Sequence, residues 1–192
     1  MNWLAHLHLS EDTPAARIGN LLPDILKFPD LATVPDCFRG GIDQHKRVDA
    51  FTDAHPVFRR STRRMDGDLK RYAPILVDLF YDHFLSRSWH KYSTVPLDSF
   101  VDRFHAEIDD FKNDLPDLAY DRLSQIRDEE LLLSYQESNG IMSALERIGK
   151  RFKRPVDLTR GVDFLIADEE GFAADFEIFY PELLRETGRC DQ

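Results

Sequence analysis

The residues best suited to chemistry in this sequence are histidines and aspartates, and they are concentrated in its first ninety positions. Six of the seven histidines fall there: His6, His8, His45, His55, His83 and His90. The aspartates among them include Asp24, Asp43, Asp49, Asp53, Asp78 and Asp82. Imidazole nitrogens and carboxylate oxygens form the ligand set of Mn, Fe, Zn or Mg centres that keep positions open for water and phosphate. The first half of the chain therefore predicts a divalent-metal site, provided that the fold brings these side chains together.

His45 and Asp49 are the clearest pair, because they stand four residues apart in a predicted helix. Residues with this spacing lie on one helix face. We therefore expect the two side chains to supply two metal ligands from one rigid element. Asp53 continues the same face if the helix extends that far.

Asp78 and Asp82 repeat this spacing, and His83 follows directly, in a segment that is otherwise strongly apolar. Burying carboxylates is costly unless they are paired or bound to metal. The segment therefore predicts further ligands. The alternative is a structural ion pair, for example Asp82 with Arg71 or Arg87, since buried charges need compensation.

Other candidates are less constrained by spacing. Pro23 before Asp24 predicts a kinked or ending helix, which would turn that carboxylate toward a neighbouring element. His6 and His8 are two residues apart, so a helix can direct at most one of them into a site. His55 is either a site residue or the cap of the turn at which its helix ends.

The periodicity of apolar residues is helical nearly throughout, and strand patterns are almost absent. We predict an all-α protein of seven to nine helices, forming a single compact domain over residues 1–192 with no linker. Thr13 and Pro14 open one helix, and residues 28–36 form a loop. Further helices are predicted at about 38–51, 74–89, 97–113, 118–136, 140–153 and 157–186.

Composition excludes several classes of function. The 25 Lys and Arg residues against 35 Asp and Glu leave a net charge of −10, which argues against nucleic-acid binding. No apolar run is long enough for a membrane helix, and the first residues do not resemble a secretory signal. Cys37 and Cys190 are predicted to be free thiols. We therefore expect a cytoplasmic protein that does not bind membranes.

Charge is unevenly distributed along the chain. Residues 59–71 carry a balance of +4 and residues 147–160 a balance of +5, whereas residues 98–130 carry −7. These runs are either solvated helix faces or, for the two basic runs, places where an acidic partner docks.

Four blocks of residues resemble the acyl carrier protein phosphodiesterase family in order and spacing, over about residues 1–90. They are N-W-L-A-H-L-H-L at 2–9, G-N-L-L-x-D at 19–24, G-I-x-x-H-x-R-x-D-x-x-T-D at 41–53 and D-x-x-x-D-H-F-L-x-x-x-W at 78–89. The sequence departs from the family at Pro23 and at Lys46, where an arginine is common. The resemblance implies a fold related to the HD-type metal phosphohydrolases. It also implies manganese-dependent hydrolysis of the bond between 4′-phosphopantetheine and the serine of holo-acyl carrier protein, with apo-protein as product.

This resemblance leads to a hypothesis for the role of each residue. One or two divalent ions, Mn first with Fe, Mg or Zn as alternatives, are held by Asp24, His45, Asp49, Asp82 and His83. A water attacks phosphorus in line, Arg47 or Arg71 contacts a phosphoryl oxygen, and Asp78 and His6 either orient ligands or bind the metal themselves. Predicted contacts to the substrate are Lys46, Arg71, Arg59, Arg60, Arg63 and Arg64.

Two alternatives remain at this point. The first is an HD-like phosphohydrolase acting on a nucleotide or another small phosphodiester. The second is a non-catalytic helical module that binds an acidic partner and uses its His/Asp cluster only structurally.

Overall fold

A computed structural model describes residues 1–189, and its regular secondary structure is entirely helical. The all-α prediction is therefore confirmed for this part of the chain. Cys37 is a free, exposed thiol, whereas Cys190 lies outside the described residues. The α-helices are α1 (Trp3–Leu9), α2 (Pro14–Ile25), α3 (Asp30–Thr33), α4 (Arg39–Ala54), α5 (Pro56–Thr62), α6 (Ala73–Arg87), α7 (Leu97–Asp110), α8 (Asp117–Asp128), α9 (Leu131–Ser134), α10 (Ser138–Lys150), α11 (Gly161–Ala167) and α12 (Glu169–Glu186). Short 3-10 helices span Asp36–Phe38, Gly67–Tyr72 and Trp89–Lys91.

The prediction of seven to nine helices is wrong, because residues 1–189 hold twelve α-helices. The segment 157–186 divides at Asp168 into α11 and α12. The segment 118–136 divides at Glu130, whose φ of 47° is left-handed and cannot continue a helix. The helices α1 and α3 are too short for the apolar period to be evident from the sequence.

The two helices that contribute most to the site, α2 and α4, cross at unusually close range. A Cβ atom on Gly41 would lie 2.3 Å from the carbonyl oxygen of Ala16, and one on Gly19 would lie 2.4 Å from that of Phe38. Only glycine permits this approach of two backbones. The close crossing brings the main chain of α2 within hydrogen-bonding distance of the α4 side chain His45.

The core surrounds α6, most of whose side chains are buried. Every residue of α1 is buried as well. The long helix α12 packs on α5 and α6 with an aromatic face formed by Phe172, Phe176, Phe179 and Tyr180. Within residues 1–189, no helix combines the length and the apolar character needed to cross a bilayer.

Candidate metal centre

Three side chains from two helices converge on one point. His45 and Asp49 come from α4, as the four-residue spacing predicts, and His6 comes from α1. The Nε2 atom of His45 lies 3.1 Å from Oδ2 of Asp49, and Nε2 of His6 lies 3.2 Å from Oδ1. The two imidazole rings are stacked, with centroids 4.1 Å apart. One ligand atom from each of the three residues lies within 4.8 Å of the other two, which suits a shared cation.

Asn20 of α2 fixes the orientation of both imidazoles. Its Nδ2 donates to the carbonyl oxygen of His6 and to Oγ of Ser10, at 2.8 and 2.9 Å, so its Oδ1 faces the Nδ1–H of His6 at 2.9 Å. The main-chain oxygen of Asn20 accepts from Nδ1 of His45 at 2.7 Å. Because both Nδ1 atoms donate, both Nε2 atoms present lone pairs to the cluster. This hydrogen-bonding pattern is typical of imidazoles that bind metals.

The Nε2 atom of His6 lies among acceptors. Besides Asp49, it is 3.0 Å from the carbonyl oxygen of Met1. A lone pair facing two oxygens is unfavourable unless a proton or another cation lies between them. Hence the donor set fits a divalent cation.

The amino group of Met1 contributes positive charge nearby. Its nitrogen lies 3.3 Å from Oδ1 of Asp49 and 3.2 Å from the buried Oδ1 of Asp78. Burial raises the pKa of Asp78 to about 6, against the attraction of this ammonium. Burial would also raise the pKa of Asp49, but the adjacent imidazoles of His45 and His6 and the amino group of Met1 hold it well below its usual range. Asp49 is therefore ionised in this site, whereas the pKa of Asp78 lies above its usual range.

Asp24 lies on the open side of the cluster. Its Oδ2 accepts a hydrogen bond from Nε1 of Trp3 at 2.9 Å, and its Oδ1 is 3.8 Å from Nε2 of His45. The side chains of Asp24 and Asp49 are 38% and 42% exposed, whereas those of His6 and His45 are buried. An ion or substrate therefore reaches the cluster from the carboxylate side.

Two of the predicted ligands lie apart from this group. Asp82 is fully buried, and its oxygens accept from the backbone N–H groups of Leu4 and Ala5 at 2.8 and 3.0 Å. It positions α1, and burial raises its pKa to about 7. His83 is directed elsewhere by the helical rotation of one residue: its Nδ1 bonds the carbonyl oxygen of Tyr135 at 2.7 Å. Neither Arg71 nor Arg87 pairs with Asp82 among the described residues, so these two example pairings are wrong, whereas Asp78 of the same segment pairs with the Met1 amino group.

His8, His55 and Asp53 lie outside the donor cluster. His8 lies between the Tyr180 hydroxyl, at 2.7 Å, and the carbonyl oxygen of Tyr92, so of these two histidines only His6 lies in the cluster. His55 accepts from the N–H of Val57 at the start of α5, as a helix cap. Asp53 is exposed at the end of α4.

The basic run 59–71 is partly bound to α12. Arg60 and Arg64 both pair with the buried Asp175, and Arg64 also pairs with Asp168 at 2.6 Å. These two arginines, predicted to contact substrate, are therefore committed to intramolecular pairs. No sequence pattern indicates this, because their partners lie more than one hundred residues away.

The other predicted substrate contacts are exposed and lie outside the lining of the pocket described next. Lys46 pairs with Asp43 at 3.1 Å, and the guanidinium of Arg71 packs over the ring of Tyr72. Arg59 donates to the carbonyl oxygen of Asp53 at 2.8 Å. Arg47 and Arg63, the last two predicted contacts, are also exposed.

A pocket of about 190 Å³ adjoins the cluster through Asp24 and Asp78, which both line it. Trp3 lines it as well, together with Arg147 and Arg151 from the other basic run. Sequence reasoning assigned no individual role to Trp3, Asn20 or these two arginines. Their signals were present: Arg147 and Arg151 have the four-residue spacing of a helix face, and Asn20 belongs to the G-N-L-L-x-D block.

The fold and site therefore define a helical protein with a His/Asp donor cluster that adjoins a pocket lined by Asp24 and Asp78. A family model described as "Acyl carrier protein phosphodiesterase" matches residues 1–183. Proteins named acyl carrier protein phosphodiesterase from Salmonella newport (strain SL254) and Salmonella typhimurium (strain LT2) are each 31% identical over 190 residues, covering 98% of both chains. No solved structure matches the chain. This chain belongs to the acyl carrier protein phosphodiesterase family, and the resemblance of its four blocks is confirmed.

Proposed function

We propose that this protein hydrolyses the phosphodiester of holo-acyl carrier protein, releasing 4′-phosphopantetheine and the apo-protein, with a divalent cation, Mn²⁺ first, at His6, His45 and Asp49. Membership of the family over residues 1–183 supports the substrate. The observation that carries the metal proposal is the convergence of two oriented imidazoles and a carboxylate, beside a pocket that Asp24 and Asp78 line. The same arrangement supports a relation to the HD-type phosphohydrolases.

The cation would be held by Nε2 of His6, Nε2 of His45 and a carboxylate oxygen of Asp49, with Asp24 as the nearest further carboxylate. When bound, it would lower the pKa of a coordinated water and offset negative charge on the phosphoryl oxygens. Asp78 and Asp82 would support these ligands indirectly. Asp78 pairs with the amino group of Met1, and Asp82 accepts hydrogen bonds from the first turn of α1. His83 is left out of this ligand set.

The protein's own residues prepare the site for an in-line attack on phosphorus. Asn20 locks the two imidazoles, which removes the entropic cost of orienting them during the reaction. Trp3 fixes Asp24 through Oδ2 and leaves Oδ1 without a hydrogen bond from the described residues. That Oδ1 faces the open side of the cluster, where it can accept a proton from an attacking water.

The proposal is tested by incubating holo-acyl carrier protein with the enzyme and one divalent ion at a time, and following the mass of the carrier. We expect loss of the phosphopantetheine moiety with Mn²⁺, and retention of it when a chelator is present. A small aryl phosphodiester assayed in parallel separates the alternatives. Its hydrolysis without any change in the carrier would contradict the proposed substrate and favour a small-diester phosphohydrolase.

A further inference from the structure

Three arginines lie at the pocket and at a cleft beside it. Arg147 and Arg151 lie four residues apart at the C-terminal end of α10 and both line the pocket. Arg122, from α8, joins them around a small adjoining cleft. Positive charge is thus concentrated where an anion approaches the donor cluster, on a chain whose net charge is −10.

The three arginines differ in how their charge is balanced. Arg147 pairs with Glu129 at 2.7 Å, and Arg122 donates to the amide oxygen of Gln125. Within residues 1–189, Arg151 has no carboxylate within 4 Å, and its guanidinium instead lies 5.7 Å from the centre of the Trp3 ring. Partial desolvation, followed by repulsion from Arg122 and Arg147, lowers the pKa of Arg151. An anion bound beside Arg151 would relieve this repulsion.

Arg151 is connected to the donor cluster through two side chains, Trp3 and Asp24. Its guanidinium packs on Trp3, which donates to Oδ2 of Asp24, and Oδ1 of Asp24 lies 3.8 Å from Nε2 of His45. The pocket that Arg151 lines therefore also holds a carboxylate that neighbours the candidate metal ligands.

The rest of the wall has a different character. Ile75, Leu131, Ala144 and Ile148 line the same pocket with apolar side chains. A cationic side and an apolar side in one pocket suit a ligand with a phosphoryl group on an uncharged chain.

We infer that Arg151, assisted by Arg147, binds the phosphoryl oxygens of the substrate, while the apolar wall receives its uncharged arm. The inference rests on the proposed function and moves the phosphoryl contact from Arg47 and Arg71 to α10. Arginine suits this role because its planar donors bind two oxygens at once.

The test measures binding rather than turnover. Calorimetric affinities for 4′-phosphopantetheine and for pantetheine, which lacks the phosphate, are compared in Mn²⁺ buffer for the wild type and Arg151→Gln. The matched control is Arg185→Gln, an exposed arginine on α12 whose hydrogen bond goes to its own helix, at the carbonyl oxygen of Pro181. Circular dichroism checks that each variant is folded.

We expect Arg151→Gln to weaken binding of 4′-phosphopantetheine by roughly 10–100-fold, the range for loss of a charged hydrogen bond, and to leave pantetheine binding unchanged. Arg185→Gln should match the wild type with both ligands. Equal affinity of Arg151→Gln and wild type for 4′-phosphopantetheine would overturn the inference, as would an equal loss for both ligands or no binding by the wild type. Phosphate-selective loss in a protein that leaves holo-carrier intact would support Arg151 and overturn the proposed reaction instead.

Discussion

Two acidic clusters in this protein are built in opposite ways. Asp175, 1% exposed, accepts hydrogen bonds from Arg60, Arg64 and the hydroxyl of Ser61. Asp49 and its neighbouring carboxylates have no lysine or arginine within 4 Å among residues 1–189; they face two histidines, the Met1 amino group and the indole N–H of Trp3.

The comparison distinguishes a carboxylate that is neutralised by the protein's own arginines from carboxylates that are not. Around Asp175 each oxygen has a positively charged donor, so the cluster is complete without a ligand. Around Asp49 the neighbours are two imidazoles, further carboxylates and one ammonium, and we propose that this set of ligand atoms receives a cation from outside. Charge density in the sequence does not distinguish the two clusters, whereas their partners do.

The largest expected effect separates the clusters by function. Asp49→Asn removes the carboxylate between the two imidazoles, so Mn²⁺ binding and turnover of holo-carrier protein should both fall below detection. Asp175→Asn serves as the matched control and should retain Mn²⁺ binding in the folded protein. Metal analysis by mass spectrometry and the carrier mass assay measure the two outcomes, and a fully active Asp49→Asn enzyme would contradict the site.

The converse effect concerns stability. Asp175→Asn leaves Arg60 and Arg64 facing a neutral side chain, and we expect a loss of about 2–3 kcal/mol in the free energy of unfolding. This is less than the ~3–5 kcal/mol for breaking a fully buried pair, because the Arg60 side chain is half exposed. Asp168→Asn, which disturbs one surface pair of Arg64, should cost under about 1 kcal/mol. Urea unfolding measures both, and equal losses would show that Asp175 is not the centre of its cluster.

A third change acts on the orientation of the imidazoles. Asn20→Ala removes the side-chain contact that fixes His6 but keeps the carbonyl oxygen that accepts from His45. Loss of such a supporting hydrogen bond costs roughly 10–100-fold in metal affinity. Titration with Mn²⁺ measures this loss. An unchanged affinity would contradict the role of Asn20 in orienting His6 for metal binding.

The crossing of α2 and α4 gives a smaller effect, with a neighbouring residue as control. Gly41→Ala places a Cβ 2.3 Å from the carbonyl oxygen of Ala16, whereas a Cβ on Gly40 meets nothing within 4 Å. We expect Gly41→Ala to cost about 1–3 kcal/mol of stability, as overpacking does. Gly40→Ala should be neutral or slightly stabilising. Thermal unfolding of the two variants compares them directly.

The smallest effect is a pH dependence of the Asp175 cluster. Burial would raise the pKa of Asp175, but hydrogen bonds from Arg60, Ser61 and Arg64 outweigh it and hold the pKa below its usual range. A lowered pKa in the folded state stabilises the protein above the unfolded-state pKa of about 3.9, and this contribution is lost as pH falls through the folded-state pKa. The stability difference between the wild type and Asp175→Asn should therefore be constant from about pH 7 to 5 and shrink below about 4. A difference that persists at lower pH would contradict this assignment.

The sequence predicts those parts of the site that lie within one helix. His45 and Asp49 meet because their spacing matches the α-helical period, and the helical class follows from the same periodicity. His83 shows the limit of this reasoning. It is adjacent to Asp82 in the chain, yet one residue of helical rotation carries it to the main chain of Tyr135.

Contacts between distant segments escape prediction for a physical reason. The charge of Arg60 and Arg64 is visible in the sequence, but its cancellation depends on how α12 packs. Likewise, Arg151 acquires a possible role only because the end of α10 lies over Trp3 of α1. Such pairings are set by tertiary packing, which a single sequence does not specify locally.

The central claim is that the cluster of His6, His45 and Asp49 is a cation site and that the cluster of Asp175 is not. Equilibrium binding of Mn²⁺, followed by electron paramagnetic resonance, tests it most directly in the wild type, Asp49→Asn and Asp175→Asn. The account predicts stoichiometric binding by the wild type and by Asp175→Asn, and none by Asp49→Asn. Equal binding by the wild type and Asp49→Asn, or no binding by the folded wild type, would contradict it.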